Sequence, residues 1–85
     1  MLYRIITEDK NTEVVCGIIG SVFEGYTKYT GVGYWKGERE NCLIIEIDGD
    51  ESICPAIVSL CKRIKEVNVQ EAVLLQSIEC RGELI

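Results

Sequence analysis

The chain has no histidine, only one proline in 85 residues, no CxxC pair and no excess of positive charge. Each absence removes a class of function. Without histidine there is no ordinary general base near neutral pH, and no Ser–His or Cys–His pair for nucleophilic catalysis. Structural zinc sites draw on histidine and closely spaced cysteine pairs, so no metal site is expected. One proline and no Ser- or Gly-rich tract leave no internal linker, so residues 1–85 read as a single domain. Nine basic side chains against 14 acidic ones give a formal charge of −5. A nonspecific nucleic-acid binder needs a basic footprint to displace counterions, so bulk nucleic acid is not an expected partner. No apolar run approaches the roughly 20 residues that span a bilayer. The opening MLYRIITED lacks the basic lead and apolar run of a signal peptide. A cytoplasmic protein without a membrane partner is the expectation.

Five cysteines are present, at 16, 42, 54, 61 and 80. An odd number without close pairs fits free thiols in a reducing compartment better than a disulfide framework. Cys54 and Cys61 lie two turns apart on one predicted helix, roughly 10 Å by the helical rise, too far to bridge. No P-loop occurs, and Gly31-Val32-Gly33 lacks the third glycine and following helix of a dinucleotide fingerprint. No catalytic residue and no cofactor are predicted; lysine or carboxylate catalysis stays open, though no pair of groups stands out, and the reading leans away from an enzyme.

What is present is a plan of alternating elements. Leu2 to Thr7 is rich in β-formers and too short for a helix. Asp9, Asn11 and Thr12 are candidate helix caps. Val15, Ile18, Ile19, Val22 and Phe23 then recur at helical spacing, with Gly25 as the expected stop. Gly17 and Gly20 weaken that helix by about 1 kcal/mol each unless another backbone approaches them. Tyr26 to Trp35 and Cys42 to Ile47 read as two strands joined by the polar stretch Lys36 to Asn41. Gly31 and Gly33 point to a bulge or to a surface that something approaches closely. Asp48 to Glu51 is a turn. Ile53, Ile57, Leu60, Cys61, Ile64 and Val67 mark a second helix with Pro55 in its first turn. Ala72 to Ile78 is the last strand.

The order βαββαβ is the ferredoxin-like α+β arrangement, a four-stranded antiparallel sheet with two helices on one face. At the hairpin, Tyr34, Trp35, Lys36 and Arg39 form an aromatic–basic cluster able to stack on a planar ligand and hold its negative charge. The opposing reading makes Tyr34 and Trp35 packing residues beside a solvated turn.

The run Gly31-Val32-Gly33-Tyr34-Trp35-Lys36-Gly37 resembles the G-V-x-S-x-Y-x-W-x-G run of the CutA proteins. Glu40 and the strand Cys42-Leu43-Ile44-Ile45 follow it, as a glutamate and an apolar strand do there. Val69-Gln70-Glu71-Ala72-Val73-Leu74-Leu75 is similar to that family's V-P-E-I-I-A-L. A more distant resemblance is to the PII signalling proteins, whose glycine-rich nucleotide-binding loop has no counterpart here. What these resemblances imply is a ferredoxin-like subunit in a trimer, with no catalytic residue to carry over. A weaker likeness is to small phage or bacterial proteins. Two functions follow as expectations. One is a nonenzymatic oligomer that holds a small anionic or nucleotide-like ligand in clefts between subunits. The other is a protein-interaction module, such as a phage inhibitor that sequesters a host component.

Self-association has a physical warrant too. A chain of this size buries only about 60–65% of its unfolded surface. Side chains alternate across a sheet, so Leu43, Ile45 and Ile47 share one face, and Cys42, Ile44 and Glu46 the other. The last strand and the first show the same two-sided apolar pattern. A sheet with one wet face should alternate apolar with polar. Ile44, Cys42 and Leu75 are therefore expected at an oligomer interface, with a trimer first and a dimer second.

Overall fold

The computed structural model describes residues 1–85. Strand β1 (Leu2–Glu8) leads to helix α1 (Thr12–Gly20), then to β2 (Thr27–Trp35) and β3 (Glu38–Asp48). A short 3-10 turn, Glu51–Ile53, opens α2 (Cys54–Asn68), and β4 (Leu74–Ile78) closes the sheet. The strands lie in the order β2-β3-β1-β4, every neighbouring pair antiparallel. Both helices cover one face. This is the ferredoxin-like fold.

The pattern of β3 sets the layers. Leu43, Ile45 and Ile47 point at the helices and are buried, and Tyr3 and Ile5 join them from β1. Ile57, Leu60 and Ile64 meet them from α2, and Val15 and Ile19 from α1. The 57-60-64 spacing keeps one stripe of α2 on the sheet. Each of these side chains contributes about 1.5–3 kcal/mol by leaving water.

Helix α1 ends at Gly20, short of the expected stop at Gly25. The Ser21 amide closes it on the Gly17 carbonyl at 3.1 Å, and the Phe23 amide on the Ile19 carbonyl at 2.9 Å. A Cβ at Gly17 or Gly20 would meet nothing within 4 Å, so no packing offsets their poor helix propensity. Phe23 and Tyr26 still pack against the core from the loop. Asn11 does precede the helix, in a left-handed conformation, but its side chain makes no cap bond. It donates instead to Asn68 Oδ1 at 3.2 Å and the Val67 carbonyl at 3.4 Å. Helix α2 carries Pro55 in its first turn and ends on left-handed Val69.

The connection between β2 and β3 is only Lys36-Gly37, with φ of 50° and 81°. Two positive φ values make the tight hairpin turn whose twist matches that of the strands. The strands thus run to the turn, and β3 begins at Glu38 rather than near Cys42. Their pairing is continuous from Thr27↔Glu46 to Trp35↔Glu38, without a bulge. The close approach at the glycines comes from the neighbouring strand. A Cβ on Gly33 would lie 2.8 Å from Cys42 Sγ, and one on Gly31 would lie 3.1 Å from Ile44 Cδ1. These bare backbones let Cys42 and Ile44 bury themselves against β2 on the face away from the helices. The molecule measures 39 × 24 × 21 Å.

Candidate functional site

A groove of about 440 Å³ runs across one end of the helix-free face. Its floor is Ile6 of β1 and Cys42 of β3, its hairpin wall is Gly33, Tyr34 and Trp35, and its far wall is the segment Gln70–Leu74. The antiparallel register explains the convergence. Ile44, Ile6 and Leu74 stand in one row across β3, β1 and β4. The hairpin tip and the segment before β4 therefore leave the sheet at the same end.

The two walls are joined. Trp35 Nε1 donates to Glu71 Oε2 at 3.2 Å, and Lys36 Nζ donates to Glu71 Oε1 at 2.8 Å. Lys36 also stands 6.0 Å from the Trp35 ring centroid, the outer reach of a cation–π contact. These bonds, the Lys36 one foremost, hold the Glu71 carboxyl below its ordinary value. Glu71 is in turn anchored through a polar cluster at the base of its segment. Thr7 Oγ1 donates to Gln70 Oε1 at 2.7 Å, and Asn68 Nδ2 donates to the same oxygen at 2.8 Å and to Thr7 Oγ1 at 3.3 Å. Asn68 and Thr7 are the two buried polar residues of the fold, and every buried side-chain polar atom has a partner.

Of the four residues expected at a ligand site, Trp35 lines the groove with its ring and Lys36 closes its rim. Tyr34 borders it from the strand with its side chain on the opposite face, beside Lys28 and Val32 in the alternation. Arg39 does not line it; it stands opposite Tyr34 in the hairpin, exposed and without an ion pair. The charges facing the groove are those of Glu8, Glu40 and Glu71. An anion would meet three carboxylates there, and the cations beside them are already paired: Lys10 with Glu8 at 3.2 Å and Lys36 with Glu71 at 2.8 Å. The expected anionic or nucleotide-like ligand therefore finds no cationic cradle. The sequence reading missed these carboxylates because they belong to separate strands and loops that only the register brings together.

The expected interface residues divide. Ile44 and Cys42 lie on the helix-free face, though both are already largely buried within the subunit, at 9% and 7% exposure. Burial pushes the Cys42 thiol up, with Glu40 adding to the effect. Leu75 pairs with Ile5 and packs against the core under the helices, so the place on the open face belongs to Leu74, which is 52% exposed. Tyr29 and Ile6 flank Ile44 on its two neighbouring strands, and Leu74 follows Ile6 in the same row. Beside it Arg4 meets Glu46 through Nε at 3.0 Å and through its terminal nitrogen at 2.9 Å.

All five cysteines are free thiols in this structure. No three His, Cys, Asp or Glu side chains converge in an arrangement able to hold a metal ion. No helix is long and apolar enough to cross a membrane. The chain matches no model of a known protein family, and no curated protein shows significant similarity to it.

Proposed function

We propose that this domain is a nonenzymatic, self-associating binding protein: copies cover the helix-free face of the sheet, and the groove beneath Trp35 holds a ligand. The observation that carries the reading is the apolar patch of Ile6, Tyr29, Ile44 and Leu74 on that face, continuous with the groove. Fully burying an aliphatic side chain is worth about 1.5–3 kcal/mol, so covering even two of these matters to a domain of marginal stability. The carboxylates and the indole favour a ligand with an apolar body and a cationic or hydrogen-donating end. The CutA resemblance makes a trimer the expected assembly, with a dimer as the alternative.

A second reading, a module that sequesters another protein, draws on the exposed aromatics of the hairpin. Tyr34 is 73% exposed and Trp35 48%, and aromatics of this kind are enriched at protein interfaces. Native mass spectrometry of freshly purified protein tests both. A homo-oligomer carrying added small-molecule mass supports the first; a bare monomer at micromolar concentration overturns it, and a monomer with a bound protein supports the second.

A further inference from the structure

Strand β2 is an outer edge of the sheet, nine residues long, regular, and free of proline and bulges. Natural edges of this kind are normally shortened, bulged or studded with lysine, and β2 has a single lysine, Lys28. Its free backbone groups can be assigned. The tight turn makes Trp35↔Glu38 a hydrogen-bonded pair, and such pairs alternate along an antiparallel ladder. Lys28, Thr30, Val32 and Tyr34 thus fall in the other class, with their N–H and C=O groups directed away from β3. The neighbouring ladder agrees: the carbonyl of Asn41, opposite Val32, accepts from the Asp9 amide at 2.9 Å and so faces β1.

We infer that the β2 edge pairs antiparallel with β2 of a second copy of this chain, about a two-fold axis through Gly31, to form one eight-stranded sheet. The edge complements itself in that register. All nine residues find partners, from Thr27 against Trp35 to the axis. On the helix-free face, Tyr29 lies over Gly33 of the other copy, the aromatic-over-glycine pairing that shields a bare strand backbone. On the opposite face, Lys28 lies beside Tyr34 and Thr30 beside Val32, a cation–aromatic pair and a β-branched pair. No like charges meet. Moving the axis to Val32 would set Lys28 against Lys36 of the other copy, which like-charge repulsion disfavours. The two-fold also joins the two apolar patches into one surface. The inference rests on self-association and specifies a contact for it, an even-numbered assembly in place of a trimer.

The test compares the wild-type chain with Val32→Pro and Leu74→Lys by sedimentation across concentration, alongside residue-level amide exchange. Proline at 32 removes an outward N–H and no bond to β3, a position where edge strands tolerate it. The expected result is a wild-type assembly of even copy number whose amides at 28, 30, 32 and 34 gain protection as concentration rises. Val32→Pro should then dimerise at least tenfold more weakly with an unchanged circular dichroism spectrum. If Val32→Pro proves unfolded, the wild-type exchange pattern decides alone. Fast exchange at those four amides in an assembled wild type overturns the edge contact. In that event, loss of assembly in Leu74→Lys leaves self-association through the face standing. A monomeric wild type overturns both, and protection of the same amides only on adding an extended peptide overturns the second copy as occupant.

Discussion

Trp35 and Glu71 lie 36 residues apart and are hydrogen-bonded, indole nitrogen to carboxylate, at 3.2 Å. With Lys36 on the other carboxylate oxygen, this contact clasps the hairpin tip to the segment that enters β4. The groove lies under the clasp.

The clasp should be acid-sensitive. The Glu71 carboxyl is lowered by its bonds from Lys36 and Trp35, so what it contributes is present above the ordinary carboxylate range and lost as pH falls through the lowered value. Trp35 is the sole tryptophan, and its fluorescence reports the change. The wild type should show an acid-range transition in emission well before unfolding. Glu71→Gln should lack it, and an identical transition in that variant would show that Glu71 is not its source.

Asn68 should matter more than its polarity suggests. It is 1% exposed and donates to both Thr7 and Gln70. Asn68→Leu leaves Thr7 Oγ1 without a donor and Asn11 Nδ2 without its Asn68 acceptor, and leaves Gln70 Oε1 with Thr7 alone, an expected cost of about 1–3 kcal/mol by urea denaturation. The variant should also loosen Glu71 and alter Trp35 emission in the native state. Unchanged emission would separate the buried cluster from the clasp.

Leu74→Lys and Ile44→Asp should behave differently from one another. Leu74 is half exposed in the subunit, so its replacement should weaken assembly with less than about 1 kcal/mol lost from the isolated fold. Ile44 is already buried against Gly31 and its row neighbours, so Ile44→Asp should destabilise the subunit itself. Sedimentation and urea titration together read both effects.

Thiol labelling should be strongly ordered. Cys80 lies exposed in the tail, whereas burial pushes the Cys61 thiol up to about 11 and raises that of Cys42. At pH 8 a disulfide reagent should modify Cys80 first and leave Cys42 and Cys61 intact until the protein unfolds, as read by mass spectrometry. Prompt labelling of Cys61 would contradict its placement on the sheet side of α2.

The alternation of β3, the 57-60-64 stripe and the strand–helix order are local patterns, so composition and periodicity alone determine the ferredoxin-like arrangement and the face that Leu43, Ile45 and Ile47 bury. The aromatic pair Tyr34–Trp35 is legible in the same way, because rings beside charges stand out in any linear reading. Three things required the tertiary structure. The end of α1 at Gly20 depends on whether anything packs against two glycines, and nothing does. The face taken by β4 depends on its register with β1, which sets Leu75 inside and Leu74 outside, because a one-residue shift exchanges the faces. The charge of the groove depends on Glu8, Glu40 and Glu71 meeting from three separate segments. Spacing along the chain carries no record of that meeting, since long-range pairing is decided by how the strands order themselves in the sheet.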